Sequence, residues 1–399
     1  MNSTSKSFAI YGAEPEFENP VAVGQLYFPS WQRYERAMRG IFDRQYYANN
    51  GPLQTELEAK LQAFLGVKHV VCVTNGTFGL IMAAQALGLT GKVILPSFTF
   101  VASAQSLIWA GIEPVFCDVD PETHQLDITQ LDSLIDDDVT AIMGVNLWGG
   151  ASKVVELEEY AKRRGLKLYF DSAHAFGCEV NNKKISGFGS LEVFSFHATK
   201  ILSATEGGCV CTNDDQIAAR LRSIRPSYDK LPGAEIAKVA NARMSEAQAA
   251  IALLSLEDFP KNQKNNETIF KCYRERVGNI AGIKLVEPNG ISFSNYQYVV
   301  CEVDESQFGL SRDQLIKVLE AENILARRYF YPGTHRIAEL DKYAENSCLP
   351  VTDKLCASCI QLPIGAPVDV KSVSRICQII HEAQLESVSL RHFFDQGSL

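Results

Sequence analysis

The chain has 399 residues, of which 46% are hydrophobic and 21% are charged, and its formal net charge is -9. This composition is typical of a globular protein with a large core and two subdomains, and the acidic balance argues against nucleic acid as the main partner, because phosphate binding needs a basic face. No apolar run is long enough to span a bilayer, and residues 1–20 lack the apolar core of a signal peptide, so we expect a cytoplasmic protein with no membrane partner.

Helix and strand patterns alternate from residue 51 onward. Over 51–66, helical periodicity places these apolar residues on one face: Leu53, Leu57, Leu61, Phe64 and Leu65. Further helices are predicted over 77–89, 99–111 and 154–165. Strands are predicted over 68–74, 92–96, 113–119, 140–148, 166–171, 192–196 and 207–213. Near-continuous apolar strands separated by helices indicate an α/β fold, with a mostly parallel sheet covered by helices on both faces.

The pattern changes near residue 255. An apolar stretch at 290–303 and helical patterns at 311–323 and 372–387 indicate a smaller α+β domain. We therefore predict a large α/β domain over 1–255, which includes the N-terminal arm, and a smaller C-terminal domain over 256–399. The weakly periodic segment 222–246 is predicted to contain an irregular loop.

The eleven cysteines are predicted to be buried free thiols of a reducing compartment. Most of them lie inside apolar runs, as do Cys72, Cys117, Cys209, Cys211 and Cys301. Cys356 and Cys359 form one C-x-x-C pair, but no histidine pair follows at ligand spacing, so no metal site is expected.

Segments with candidate chemistry each follow a predicted strand. They are "NGTFGL" with Gly76 and Thr77, "PSFTFVASA" with Phe100, "FDSAHAFG" with Asp171, and "FSFHATKILSATEGG" with Lys200. Because ligands of parallel sheets bind beyond the carboxyl ends of the strands, we expect these residues to share one site.

Each signal taken alone also has a plain structural interpretation. Most lysines are solvated, a carboxylate after a strand can cap a helix, N-G-T fits a turn followed by a cap, and a phenylalanine is usually a core residue. The chemical interpretation is different. A neutral lysine amine can form a Schiff base with an aldehyde, a carboxylate can hold a proton on a pyridine nitrogen, and a helix N-terminus with a hydroxyl suits a phosphate.

In their order along the chain, and together with "YYANNGPLQTELE" and "NARMSEAQAA", these motifs resemble the DegT/StrS-type nucleotide-sugar aminotransferases. The resemblance implies a pyridoxal phosphate enzyme of the aspartate-aminotransferase type (PLP fold type I). It runs from about residue 8 to the C-terminus, and its most specific motifs lie between 45 and 255. Some relatives have histidine in place of the lysine and are dehydratases, so the presence of Lys200 favours transamination.

The resemblance implies that Lys200 holds the cofactor covalently and then acts as general acid and base, while Asp171 pairs with the pyridine nitrogen. The other implied cofactor contacts are Gly76, Thr77 and Ser195 at the phosphate, Phe100 on the ring face, His174 near the ring hydroxyl, and Asn241 from the neighbouring subunit. A homodimer with shared active sites is therefore expected. His197 stays outside this set, because lining the pocket and merely filling it are equally compatible with its position.

The basic and aromatic segment "LARRYFYPGTHR" at 325–336 is predicted to bind the anionic nucleotide-sugar, with Arg328, Tyr331 and His335 as candidates. A solvated loop with buried aromatic residues is the alternative. Similar segments, and "NLWGG" at 146–150, fit the family branch of O-antigen pathways that aminates carbon 4 of dTDP-4-keto-6-deoxyglucose. Family analogy implies L-glutamate as the amino donor.

Other functions stay open on sequence grounds. One is a 3-keto-sugar aminotransferase of the same family, and another is a non-catalytic regulator that keeps the fold, against which the presence of both Lys200 and Asp171 argues. An NAD-dependent enzyme is disfavoured because no G-x-G-x-x-G follows the first strand.

Overall fold

A computed structural model describes residues 8–226, 238–345 and 347–396, and every structural statement below refers to these ranges. Of the loop predicted within 222–246, residues 227–237 lie outside the described residues. No helix in the described part of the chain combines the length and the apolar character that crossing a bilayer requires.

The helices are α1 Trp31–Arg44, α2 Pro52–Leu65, α3 Gly76–Ala86, α4 Val101–Ala110, α5 Leu131–Leu134, α6 Val154–Arg164, α7 Asp215–Ile224, α8 Glu246–Val277, α9 Glu305–Phe308, α10 Arg312–Ala321, α11 Pro350–Ser358, α12 Val370–Leu385 and α13 Ser387–Asp395. The strands are β1 Val21–Ala22, β2 His69–Val73, β3 Lys92–Pro96, β4 Glu113–Cys117, β5 Val139–Val145, β6 Lys167–Asp171, β7 Glu179–Val180, β8 Lys183–Lys184, β9 Glu192–Ser195, β10 Gly208–Thr212, β11 Ile283–Leu285, β12 Val299–Val303, β13 Ile324–Leu325 and β14 Cys359–Leu362.

The elements predicted between 51 and 213 are present, but the strand predicted over 140–148 ends earlier, at Val145. Trp148 adopts a left-handed φ of 59°, and the N–H of Gly150 closes a turn onto the carbonyl of Leu147 at 2.8 Å. The chain therefore turns away from the sheet although its side chains stay apolar.

A seven-stranded sheet with the order β2-β10-β9-β6-β5-β3-β4 forms the centre of the described structure. β10 is antiparallel to β2 and to β9, and the other neighbouring strands are parallel. The predicted mostly parallel α/β sheet is confirmed.

Helices cover both faces of this sheet. Side chains of a strand alternate between faces, and in β2 the residues Val70 and Cys72 belong to one core cluster while Val71 and Val73 belong to another. The first cluster includes residues of α2, α6 and α8, and the second includes residues of α3, α4 and α7. Both faces of the central strands are therefore buried, which explains their continuous runs of apolar residues.

The predicted amphipathic helix at 51–66 is α2. It starts with Pro52, whose missing N–H costs nothing at a helix start, and it ends at Gly66, whose φ of 66° suits glycine. Leu57 and Leu61 are fully buried against the sheet, and each such burial stabilises the fold by about 2 kcal/mol.

A smaller antiparallel sheet with the order β11-β12-β14 carries a second core. The predicted domain boundary at 255/256 falls inside the 32-residue helix α8. Phe259 of this helix belongs to the core of the large sheet, whereas Ile269 and Tyr273 belong to the second core. The N-terminal arm is predicted to belong to the first domain, but it packs on this second core through Phe8 and pairs β1 with β13. The division into two domains stays a prediction.

Candidate active site

A cavity of about 430 Å³ opens at the carboxyl edge of the large sheet. Among its lining residues, Val145, Asp171 and Ser195 are the last residues of β5, β6 and β9. These strands are parallel, so their carboxyl ends meet at one edge, where ligands of such sheets bind. The cavity brings together most candidates from the sequence: Gly76, Thr77, Phe100, Asp171, His174, Ser195 and Lys200.

Asp171 is buried and oriented by fixed donors. Its Oδ2 accepts a hydrogen bond from Ser103 Oγ at 2.8 Å, and its Oδ1 accepts one from the N–H of Ala173 at 3.2 Å. Burial raises the pKa of the Asp171 carboxyl, and both hydrogen bonds and the charge of Lys200 oppose that rise. A cation close to this carboxyl would keep it ionised.

Lys200 lies in the turn that follows β9. The backbone N–H of the next residue donates to Gln297 Oε1 at 2.6 Å, and Lys200 Nζ donates to the hydroxyl of Tyr298 at 2.7 Å. Burial lowers the pKa of the Lys200 amine, while Tyr329 and Asp171 oppose the shift. A larger share of neutral amine makes this lysine a better nucleophile than a solvated one.

The His174 ring is enclosed by aromatic side chains. Its centroid lies 4.1 Å from the ring of Tyr298, 5.4 Å from that of Trp148 and 6.2 Å from that of Phe330. Burial lowers the pKa of His174 well below its usual value, and the charge of Lys200 adds to this, so the imidazole is neutral. Its Nδ1 is buried and has no hydrogen-bonding partner within the described residues, which marks a place for a polar group of a ligand.

The N-terminus of α3 faces the end of β9. The Asn75 side chain accepts from the N–H of Phe78 at 2.9 Å, and the first intrahelical bond runs from the N–H of Gly79 to the Asn75 carbonyl. The helix itself therefore does not use the amides of its first two residues. A Cβ at Gly76 would lie 3.0 Å from Cβ of Ser195, so glycine permits this close approach. Such a helix start suits an anion.

Phe100 precedes α4 and lines the cavity with 54% of its surface exposed. It is therefore not a core residue, and its ring is accessible to a planar ligand.

The segment predicted to bind substrate contributes other residues to the cavity than expected. Arg327, Tyr329 and Phe330 line it, whereas Arg328 and Tyr331 are not among its lining residues. The Arg328 guanidinium lies instead 4.9 Å from the ring centroid of Tyr331, which is 53% exposed. The substrate contacts of Arg328 and Tyr331 stay a prediction.

His335 does not line the cavity in the described structure. Its Nδ1 lies 2.7 Å from Ser97 Oγ, and its Nε2 lies 2.9 Å from Asp353 Oδ1. Both ring nitrogens thus fasten the 327–336 segment to the residue after β3 and to α11. This engagement gives the ring a structural role, and its contact with substrate stays a prediction.

The structure does not assign a role to Asn241 or to His197. Asn241 is exposed and does not line the cavity of its own chain, although the next residue, Ala242, accepts a hydrogen bond from the N–H of Thr74 at the end of β2. His197 lines the cavity, and its Nδ1 lies 2.9 Å from Thr199 Oγ1.

The residues that orient the candidates, chiefly Ser103, Gln297 and Tyr298, are not evident from the sequence. Ser103 lies in the first turn of α4, three positions after Phe100, and a serine there also fits an ordinary helix start, so its sequence gives no distinct signal. Tyr298 gives no local signal, because 98 positions separate it from Lys200.

The chain is similar to known proteins in sequence and in fold. The sequence profile of the DegT/DnrJ/EryC1/StrS aminotransferase family matches residues 32–381. A dTDP-4-amino-4,6-dideoxy-D-glucose transaminase of Shigella dysenteriae is 37% identical over 316 residues, which are 79% of this chain and 86% of that protein. A GDP-perosamine synthase of Vibrio cholerae is 31% identical over 361 residues, which are 89% of this chain and 97% of that protein. The crystal structure of DesI in the presence of its TDP-sugar product matches with a TM-score of 0.93 and 37% identity, over 96% of this chain and 98% of that chain.

Proposed function

The chain belongs to the DegT/DnrJ/EryC1/StrS aminotransferase family, and on that premise we propose that it transfers the amino group of L-glutamate to carbon 4 of a nucleotide-linked 4-keto-6-deoxyhexose. The acceptor that we propose is dTDP-4-keto-6-deoxyglucose, which gives dTDP-4-amino-4,6-dideoxyglucose, a building block for polysaccharides such as the O antigen. One observation carries the proposal: the amine of Lys200 and the carboxyl of Asp171 line the same cavity. The similarity to the dTDP-4-amino-4,6-dideoxy-D-glucose transaminase at 37% identity supports the choice of sugar.

The cofactor of this aminotransferase is pyridoxal phosphate, and the cavity residues fit it. The first turn of α3 with Thr77 and Ser195 suits the phosphate, and the unpartnered Nδ1 of His174 suits a polar ring substituent. When bound, this cofactor supplies a covalent handle for an amine and an electron sink for the adjacent carbon.

Lys200 has two tasks in the proposed reaction. It would hold the cofactor covalently at rest, and after an incoming amine displaces it, its Nζ would remove and return the proton on the substrate carbon. The burial that lowers the pKa of this amine favours both tasks, because only the neutral amine attacks a carbonyl or accepts a proton.

Asp171 would face the ring nitrogen. Its buried carboxyl would stay ionised beside a pyridinium, because an opposite charge would offset the cost of burial. The bonds from Ser103 and Ala173 hold both carboxylate oxygens in place, so this arrangement needs no rearrangement when charge develops.

Arg327 is the residue that we propose for the carboxylate of the amino donor. It lines the cavity beside Tyr329, and its backbone is fixed by two hydrogen bonds to Gln361, at 3.1 and 2.8 Å. A guanidinium matches a carboxylate with two parallel hydrogen bonds.

We also propose a homodimer in which Asn241 serves the cavity of the partner. Its exposed position outside its own cavity supports this. Large apolar side chains on α1 and α4 support it as well, because Trp31, Phe42 and Trp109 are 66%, 69% and 74% exposed. Exposed apolar surface of this kind is typical of interfaces.

Mixing two inactive variants tests the shared site. In a heterodimer of Lys200→Ala and Asn241→Ala chains, one site would combine an intact Lys200 with an intact Asn241 from the other chain. Activity should therefore recover toward half of that of the wild-type dimer. No recovery would show that Asn241 acts, if at all, within its own chain.

The function itself is tested with purified protein, L-glutamate and a panel of dTDP-, UDP- and GDP-linked 4-keto-6-deoxy sugars. We expect the absorbance of the bound cofactor to bleach with L-glutamate, and an NMR spectrum of the product to show the amine on carbon 4. An amine on carbon 3 would establish the 3-amino alternative. A preparation that takes up no cofactor would favour a non-catalytic regulator.

A further inference from the structure

The amine of Lys200 has a defined hydrogen-bonding partner in the wall of the cavity. Tyr298 lies just before β12, is 4% exposed, and accepts a hydrogen bond from Lys200 Nζ at 2.7 Å. The amine also lies 5.4 Å from the centroid of the Tyr298 ring. Lys200 lines the cavity in the described structure, whereas Tyr298 does not. The Tyr298 hydroxyl therefore contacts the amine from behind the cavity surface.

Tyr298 is held firmly by its surroundings. Its ring centroid lies 4.1 Å from that of His174, 5.4 Å from that of Trp148 and 6.4 Å from that of Tyr329. A close-packed ring with neighbours on several sides has one favoured orientation. The hydroxyl oxygen therefore has one fixed position at which it can accept a hydrogen bond.

The residues that precede Tyr298 in the chain hold the backbone next to Lys200 and next to His174. Gln297 accepts from the backbone N–H that follows Lys200, at 2.6 Å. The Asn295 side chain donates to the carbonyls of His174 and Phe176, at 3.1 and 3.0 Å. The segment 295–298 thus fixes the backbone on either side of the cavity while Tyr298 contacts the amine itself.

We propose that Tyr298 is a positioning residue, which receives the Lys200 amine and keeps it at the cavity whenever the amine is not bonded to the cofactor. The proposal rests on the proposed function, because a transaminase releases this amine and uses it again in each half-reaction. A free lysine side chain has many rotamers, and a hydrogen bond to a fixed hydroxyl selects one that stays within reach of the substrate.

The charges around the contact favour neutral partners. Burial lowers the pKa of the Lys200 amine and raises the pKa of the Tyr298 hydroxyl. The other titratable groups that act on this pair are Asp171, Tyr329 and Arg327, and His174 is itself affected by the charge of Lys200. A neutral amine can both donate to and accept from a phenol, so the contact persists through proton transfer.

A double-mutant cycle tests the pairing without turnover. Wild type, Tyr298→Phe, Lys200→Met and the double variant are saturated with pyridoxamine 5′-phosphate, which has no aldehyde and leaves the lysine amine unbonded. We expect Tyr298→Phe to lower the thermal midpoint by roughly 1–2 °C when Lys200 is present, and to leave it unchanged or raise it beside Lys200→Met. Equal shifts in both backgrounds would overturn the proposal.

Tyr273→Phe is the matched control. Its hydroxyl is also buried and donates to the carbonyl of Pro363 at 2.9 Å, but it belongs to the second core. It should lower the midpoint equally with and without Lys200. If Tyr298→Phe does not fold alone, the double variant should still fold, because neither partner is then left unpaired; a double variant that is also unfolded would refute the pairing.

Kinetics give a second readout. Tyr298→Phe should reduce kcat at least tenfold and leave the KM of both substrates within about twofold, whereas Tyr273→Phe should change neither. An unchanged kcat would overturn the positioning role. A wild-type protein without aminotransferase activity would refute the proposed function and leave the result of the cycle intact.

Discussion

Glu192 offers a prediction whose size follows from its surroundings. This residue of β9 is fully buried, and its carboxyl accepts from Ser172 Oγ at 2.7 Å and from the N–H of Phe188 at 3.0 Å. Burial raises the pKa of the Glu192 carboxyl from 4.5 to about 7, although both hydrogen bonds oppose the rise. At a pH between 4.5 and about 7, the folded protein therefore keeps a proton on Glu192 that the unfolded chain has already released.

The sign and size of the effect follow from linkage. Between pH 4.5 and 7 the folded state holds more protons than the unfolded state, so the free energy of unfolding falls as the pH rises. A rise of the pKa to about 7 corresponds to a loss of about 3 kcal/mol at pH 8 relative to pH 4. Glu192→Gln cannot ionise, its carbonyl can still accept from Phe188, and its amide can donate to Ser172.

The assay is denaturant unfolding of wild type and Glu192→Gln between pH 4.5 and 8, at one protein concentration and with the same cofactor state. We expect the variant to be more stable than wild type at pH 8, by up to about 3 kcal/mol, and to lose this advantage toward pH 4.5. Glu159→Gln, which changes an exposed glutamate of α6, is the control and should follow wild type. Parallel pH profiles for wild type and Glu192→Gln would refute the reasoning.

The remaining predictions concern the proposed active site. Lys200→Ala should abolish turnover while the unfolding midpoint shows an intact fold, because the residue acts chemically; remaining transaminase activity would contradict its role. Asp171→Asn should reduce kcat at least a hundredfold, since a neutral amide cannot stabilise a pyridinium, and near-normal steady-state rates would count against that assignment. Ser103→Ala removes the donor at 2.8 Å from Asp171 and should weaken cofactor binding roughly tenfold in a fluorescence titration; an unchanged Kd would show that the bond is dispensable. Arg327→Ala should raise the KM for L-glutamate more than tenfold and that for the sugar little, whereas an increase confined to the KM for the nucleotide-sugar would instead place Arg327 at the nucleotide phosphates.

Local patterns were sufficient for the elements of the large sheet. Strands buried on both faces, such as β2 with its run of apolar residues, and amphipathic helices such as α2 carry their identity in their own residues. The error at 140–148 arose because apolar side chains continue past Val145 while the backbone already turns at Trp148. Burial of a turn and burial of a strand look alike in the sequence.

The substrate segment shows where reasoning from residue type ends. Arg327 and Arg328 are adjacent and chemically identical, yet Arg327 lines the cavity and Arg328 contacts Tyr331 outside it. His335 looks like a ligand-binding residue, but Ser97 and Asp353 occupy both of its nitrogens. Which side of a loop faces a cavity depends on packing against distant residues and is absent from the local pattern.

From the amino-acid sequence alone came the α/β class, the order of the helices and strands, and the motif residues Gly76, Phe100, Asp171 and Lys200, because each depends on short-range periodicity or on a motif a few residues long. The tertiary structure decided the strand order, the contact of Lys200 with Tyr298, the two donors on Asp171 and the position of Arg327 in the cavity lining. These are contacts between residues that lie far apart along the chain, and only the packing of the whole fold brings them within hydrogen-bonding distance.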